Sequence, residues 1–296
     1  MPAYPYGRRV FFIAGVSDHI ATLTGRTSLT LVFVFGCGFH QDRAALSMIL
    51  QAEADGILDR DGPGIIVEGT AGNTGIGLAM AGQVFGYETV IVLPDTQSEE
   101  KKQMLRWAGA RIVEVPPAPF SNPNHFVHVA ERVAETLSAD GQRVFYPNQW
   151  DNLANRKAHS EHTGPEIWEQ TGGNIDAFSC AMGTGGTLSG VAEFLRSVKP
   201  SIHIVLTDPC GAAVKSFYEN GELQACGSSI TEGIGQGRMT GNMEGFFPDY
   251  CFEISDEVML PILHDVQKYD GLAIGGSAGI NVAGKWPGHS CCPRFM

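Results

Sequence analysis

Four short stretches of this chain combine glycine with hydroxyl or amide side chains in the way that ligand-holding turns do, and a fifth is rich in amides. Residues 183–187 read GTGGT, between an apolar run and a helix-length segment. Successive N–H groups in such a turn converge on an anion at a helix N-terminus, and Thr184 and Thr187 add hydroxyl donors. Close packing of a strand on a helix uses the same glycines, so this turn alone does not choose between the two. Residues 70–75, TAGNTG, form a second such joint. Its amides and the Thr70 and Thr74 hydroxyls suit a carboxylate, and Asn73 offers an amide. Taken singly, the more ordinary expectation is that Asn73 or Thr74 caps the helix that follows.

Residues 275–281, GGSAGIN, make a third turn, in which Ser277 either caps a helix or donates to a ring nitrogen. PNQWDN at 147–152 reads as a surface loop, and EGIGQG at 232–237 as a flexible connection. No G-x-G-x-x-G fingerprint follows the first strand. Taken together the turns say more. In an open parallel sheet, ligands bind beyond the carboxyl ends of the strands. Several glycine-rich turns at that edge predict one composite site for a phosphate-bearing cofactor and a small carboxylate.

The elements that would position these turns alternate regularly. IIVEG (65–69), TVIVLP (89–94), RIVEV (111–115), VFY (144–146), AFSCA (177–181) and HIVLT (203–207) are short β-prone runs. Helix-length segments separate most of them, which predicts βαβ units and mostly parallel sheets. The helix over 98–108 shows its signals plainly: Ser98 as N-cap, Glu99 and Glu100 at the positive end, Gly109 as terminator. Met104 and Leu105 are expected on its buried face, and Lys101 and Lys102 in water. Asp42 opens another amphipathic helix, DRAALSMIL (42–50).

Bulk properties exclude more than they assign. The 296 residues carry 32 acidic and 20 basic side chains and no clustered basic face, which argues against nucleic acid as a partner. No apolar run has the length of a membrane span. Seven cysteines show neither CxxC pairs nor metal-ligand spacing, so no metal is expected, and buried free thiols in a reducing cytoplasm are. Arg8-Arg9 before VFFIAGV imitates a signal peptide, but no small-residue cleavage site follows. Cytoplasmic localisation is the expectation.

In this order the turns resemble the cysteine synthases (O-acetylserine sulfhydrylases) of the fold-type-II pyridoxal-phosphate-dependent family, related to the tryptophan synthase β subunit. The resemblance covers roughly 42–284 and rests on DRAALSMI, EGTAGNTGIGLA, PNQWDNLAN, GPEIW, GTGGTLSG, EGIGQGR and GGSAGINVAG. It implies an α/β fold of two domains, each with a mostly parallel twisted sheet flanked by helices, and an active site in the cleft between them. The smaller, substrate-loop domain would span 42–151. The larger, phosphate-binding domain would take 1–41 and 152–296.

The implied roles go residue by residue. Gly183, Thr184, Gly185, Gly186 and Thr187 would bind the phosphate of pyridoxal 5'-phosphate. Asn73 would meet the phenolic oxygen of the ring, and Ser277 the pyridine nitrogen. Thr70, Ala71, Gly72 and Thr74, with Gln149, would hold the carboxylate of an amino-acid substrate. Ala71 stands where the family usually has Ser. The implied reaction converts O-acetylserine and sulfide to cysteine and acetate, in a homodimer.

One residue does not fit. The lysine that forms the Schiff base and serves as base precedes Asp-Arg in the family, and here that position is Gln41. A carboxamide nitrogen, its lone pair delocalised, neither condenses with an aldehyde nor takes a proton near neutrality. The chain as written is therefore expected to be inactive or severely impaired, with its cofactor held non-covalently at best. The alternatives are a non-catalytic binding protein for the cofactor and amino acid, or another fold-type-II enzyme such as cystathionine β-synthase. Codons supply a source for the change. Phe39-His40-Gln41 written TTC-CAT-CAA, then G, reads one base later as Ser-Ile-Lys. Ile20-Ala21-Thr22-Leu23 written ATC-GCA-ACA-CTC becomes Ile-Gly-Asn-Thr on restoring one G. Residues 21–41 are thus expected to be out of frame, and the tail 285–296, KWPGHSCCPRFM, which reads as neither helix nor strand, aberrant or truncated.

Overall fold

A computed structural model describes residues 41–70 and 72–284, and the backbone of 10–13, 22–23 and 29–32. The elements in chain order begin with three short strands, β1 (Val10–Ile13), β2 (Thr22–Leu23) and β3 (Leu29–Val32). Then come α1 (Gln41–Ala54), β4 (Ile65–Gly69), α2 (Asn73–Phe85), β5 (Glu88–Pro94), α3 (Glu99–Trp107), β6 (Arg111–Val115), α4 (Phe126–Ala139), β7 (Val144–Phe145) and α5 (Leu153–Ala158). A π-helical turn, His159–Thr163, leads into α6 (Gly164–Gln170), β8 (Ala177–Cys180), α7 (Gly186–Val198), β9 (His203–Pro209) and α8 (Val214–Asn220). The last elements are β10 (Tyr250–Ile254), α9 (Asp256–Asp270) and α10 (Gly276–Ala283). By packing, the chain divides into two compact units, Phe39–Ala158 and Met1–Gly38 with His159–Met296.

The Phe39–Ala158 unit is built on a four-stranded sheet, β6-β5-β4-β7, with every pair parallel. Strands β4 and β5 are mostly apolar because both faces are covered, while the edge strand β6 is partly exposed. Ile76, Ala79, Ile91, Leu93 and Leu105 pack between the sheet and α2 and α3. Val67, Val90 and Val92 face Ala130 and Ala134 of α4 on the other side. Met48, Ile49, Leu58 and Leu78 fill a third cluster beneath α1 and α5. Helix α2 is enclosed on most sides and ends at Gly86, whose φ of 83° only glycine adopts without strain.

The second unit holds a six-stranded sheet, β10-β9-β8-β1-β3-β2. All its pairs are parallel except β2 with β3. The backbone of Leu29–Val32 therefore lies within the sheet. Phe178, Ile204 and Leu206 meet Leu188, Val191 and Leu195 of α7. Met259, Ile262, Val266 and Ile280 form a second cluster from α9 and α10. The α/β class with mostly parallel sheets flanked by helices is thus borne out. Among the described residues no helix is long and apolar enough to cross a membrane.

Two side-chain expectations need correction. Lys102 is buried rather than in water: its Nζ donates to the Asp95 carbonyl at 2.8 Å and to Glu114 Oε2 at 2.6 Å. A lysine stem covers apolar surface at low cost once its head finds two acceptors. Ser98 does occupy the N-cap of α3, but without a side-chain capping bond. The cysteine expectation holds only in part. Cys180 is buried, Cys210 and Cys251 are intermediate, and Cys226 is exposed, all four free. Cys37, Cys291 and Cys292, the Arg8-Arg9 run and the tail 285–296 lie outside the described residues.

Candidate functional site

In the Phe39–Ala158 unit the candidate carboxylate loop runs from the end of β4 into α2. Thr70 is buried; its N–H donates to the Val92 carbonyl at 3.0 Å, and its Oγ1 accepts the Gly72 N–H at 3.1 Å. The N-cap of α2 is Gly72, in extended conformation and with no side chain bonded to the first turn. The capping alternative for Asn73 and Thr74 is therefore not what the structure shows, because both residues are already inside the helix. The first amides of a helix have no intrahelical partner, and here no capping side chain meets them. Ala71 lies outside the described residues.

Gln149 is also buried, in a turn whose preceding residue, Asn148, has φ of 46°. The Gln149 N–H donates to Glu68 Oε2 at 3.3 Å, and its carbonyl accepts from Asn155 Nδ2 at 2.8 Å. The structure thus joins Gln149 to the strand that delivers Thr70, two residues from it. The joining residue, Glu68, was not among those singled out from the sequence. In the run IIVEG it reads as an ordinary strand position, yet it is fully buried. Burial pushes its carboxyl up to about 8, outweighing nearby backbone amides and the Gln149 side chain that pull the other way.

Gln41 is the first residue of α1, half-buried, and its carboxamide Oε1 is enclosed without a hydrogen-bond partner. Its neighbour Asp42 packs against α2, where a side chain at Gly77 would meet Asp42 Oδ1 at 2.8 Å. The position expected to carry the amine therefore stands at the head of a helix packed on the helix of Asn73 and Thr74. The amine itself is absent.

In the second unit the turn 183–187 leads from β8 into α7. Gly185 is the N-cap of α7, with φ of 86°, and no side chain caps the helix. A β-carbon on Gly183 would collide with the Gly233 carbonyl of the 232–237 segment. That segment, expected as a loose connection, is fastened here: the Gly235 N–H donates to the Met182 carbonyl at 2.9 Å. Thr240 Oγ1 donates to the Thr184 carbonyl at 2.7 Å, fixing the turn from outside. Thr187 Oγ1 lies 3.2 Å from Nε2 of buried His159, whose Nδ1 is 2.9 Å from Thr163 Oγ1. Neither His159 nor Thr240 was legible in advance, since a π-helical turn and a loop residue have no periodic signal.

Ser277 is the second residue of α10, exposed, while the N-cap is Gly275. Capping is thus not its role either. Asn281 further along α10 accepts the Ala181 N–H at 2.6 Å and the Thr207 hydroxyl at 3.0 Å through its Oδ1. These bonds tie α10 to the strand that feeds the 183–187 turn. Among the described residues, no cluster of His, Cys, Asp or Glu could hold a metal ion.

The chemistry of these donors fits a phosphorylated ligand at 183–187. The Gly185 N-cap carries no side chain, the Thr184 hydroxyl accepts the Gly186 N–H at 3.4 Å, and the helix dipole favours negative charge there. Position 41, where the family's motif has an amine, is a glutamine.

Residues 37–286 match the family described as pyridoxal-phosphate dependent enzyme. Cysteine synthase 1 of Neurospora crassa is 46% identical over 250 residues, covering 83% of this chain and 65% of that protein. The chain thus spans slightly less than two thirds of that relative. Cysteine synthase of Dictyostelium discoideum is 36% identical, covering 92% of this chain and 78% of that protein. Among solved structures, O-acetyl serine sulfhydrylase isoform 3 of Entamoeba histolytica superposes with a TM-score of 0.70 at 34% identity, over 82% of this chain and 68% of that one. The chain belongs to the pyridoxal-phosphate dependent enzymes, within the group that contains the cysteine synthases.

Proposed function

We propose that this chain is a cysteine synthase by descent that retains the cofactor-phosphate turn and the amino-acid carboxylate loop but lacks the chemistry to turn over. One observation carries this reading: the first residue of α1 is Gln41, its carboxamide enclosed and unbonded at Oε1. Gly183, Thr184, Gly185, Gly186 and Thr187 would hold the phosphate, Asn73 and Ser277 the ring, and Thr70, Ala71, Gly72, Thr74 and Gln149 the substrate carboxylate. When bound, pyridoxal phosphate supplies an electron sink for charge developing at an amino-acid α-carbon. The residues of this chain contribute binding and orientation. At position 41 nothing accepts a proton, so removal of the α-proton has no base there. The buried Lys102 does not replace it, because its ammonium is engaged by Asp95 and Glu114.

Binding without a covalent bond is the expected state. The purified chain, incubated with pyridoxal phosphate, reduced with borohydride and weighed intact, should keep its unmodified mass while equilibrium dialysis registers bound cofactor. A stoichiometric adduct on one lysine would mean that another amine has taken the role. A chain that binds no cofactor would rule out the retained phosphate site.

Gln41 is attributed to a reading frame displaced over 21–41, most of which lies outside the described residues. The nucleotide sequence across codons 20–42 decides this: it supports the displacement only if a shift of frame by one base there reads Ser-Ile-Lys ahead of Asp42. Cytoplasmic placement and a homodimer belong to the same reading, and light scattering of the purified chain measures the latter.

A further inference from the structure

We propose that Glu68 is a positioning residue of the carboxylate site, holding the Gln149 turn against the end of β4 so that Gln149 and the 70–74 loop form one receptor. The proposal rests on the reading of those residues as the site for an α-amino carboxylate.

Burial and bonding single out Glu68. It is the fourth of five residues in a central strand and has no exposed surface. A buried carboxyl costs several kcal/mol unless its oxygens are bonded, so its retention needs a reason. Among the described residues no ion pair involves it. Its Oε2 accepts the N–H of Gln149, 81 positions away in sequence. Its Oε1 is enclosed without a hydrogen bond of normal geometry. An apolar residue would serve the sheet better, since the flanking Ile66 and Val67 are simply core.

What Glu68 does supply is a fixed point for a turn that has no ladder of its own. β7 ends at Phe145, and the chain then bends through Asn148 in the left-handed region. From there the Asp151 and Asn152 amides return to the Asn148 carbonyl, each at 3.0 Å. Asn155 donates to the Gln149 carbonyl and Glu68 accepts the Gln149 N–H, so the backbone of one residue is held on both of its flanking peptide groups. One residue beyond Glu68, the chain enters Gly69, where an added β-carbon would strike the α4 backbone at Phe126 and Val127. That contact keeps β4 in place as it delivers Thr70. A single rigid strand end thereby sets both the Thr70 amide and the Gln149 turn. The neutral acid that burial favours adds no charge beside an incoming carboxylate.

Three variants of the full chain test this, with hydrogen exchange at the Gln149 amide and calorimetric binding of O-acetyl-L-serine, cofactor present, as readouts. Glu68→Met keeps volume and removes the acceptor. It is expected to fold, to speed exchange at Gln149 by about tenfold, as loss of one hydrogen bond of ~1.4 kcal/mol implies, and to weaken ligand binding comparably. Glu68→Gln restores an acceptor and should return both readouts to the native values. Gln149→Ala should abolish ligand binding with the fold intact. Native exchange at Gln149 in Glu68→Met overturns the proposal. So does a Glu68→Gln protein that behaves like Glu68→Met. If Gln149→Ala binds O-acetyl-L-serine as well as the native chain, the carboxylate reading fails instead, and the exchange comparison still decides whether Glu68 holds the turn.

Discussion

Replacing Gln41 by lysine is expected to raise cysteine formation from O-acetyl-L-serine and sulfide by about 10²–10⁴-fold, the range that a positioned general base contributes. The expectation follows from where Gln41 sits. It heads α1, its neighbour Asp42 packs on α2, and the carboxamide oxygen is already enclosed without a partner. Nothing bonded to that oxygen is lost in the exchange. A lysine there brings an amine to the place where the family's motif has one, ahead of Asp42-Arg43. Initial-rate assays of Gln41→Lys beside the native chain, with borohydride trapping to localise a new adduct, provide the check. A variant that folds and traps cofactor on Lys at 41 yet shows no gain in rate would place the defect elsewhere.

The second large effect lies in the other unit. Gly183→Val should weaken pyridoxal phosphate binding by about 10–100-fold, read by equilibrium dialysis. The β-carbon alone would occupy the place of the Gly233 carbonyl, so the 183–187 turn and the 232–237 segment must separate. Overpacking of this kind costs ~1–3 kcal/mol, which is the stated change in affinity if it falls on the bound state. The displacement would also break the Gly235 bond to Met182 that fastens the two segments. A serine at Gly237 is the control. No atom lies within 4 Å of a β-carbon there, so binding should be unchanged. Equal binding by Gly183→Val and the native chain would detach the phosphate from this turn.

Much of the architecture could be read from the residues because burial writes itself into periodicity. Continuous runs such as IIVEG and TVIVLP predicted strands covered on both faces, and β4 and β5 are such strands. The ordered set of glycine turns identified the family, as the match over 37–286 shows. What escaped was pairing over long sequence distances. Glu68 and Lys102 look like a strand polar residue and a surface cation, and no local pattern tells that each is buried against partners supplied by other elements. Gln149 and Glu68 meet across 81 positions, a contact the sheet order creates. The cap alternatives for Asn73, Thr74 and Ser277 failed for a simpler reason. At α2, α7 and α10 a glycine takes the N-cap, so the polar residues begin inside the helix.

The three glycine caps also bear on what the chain retains. A serine or aspartate cap would consume the first amides internally and contribute about 1 kcal/mol to the helix. Glycine at the N-cap forgoes that side-chain bond, and at α7 the Thr184 hydroxyl accepts the Gly186 N–H at 3.4 Å instead.

Turnover of the native chain is the most direct measurement. Supplied with pyridoxal phosphate, O-acetyl-L-serine and sulfide, the unaltered protein should form cysteine no faster than the same mixture without protein, while still binding the cofactor. Sustained, enzyme-proportional production of cysteine by that protein would show that Gln41 does not disable it, and the central claim would fall.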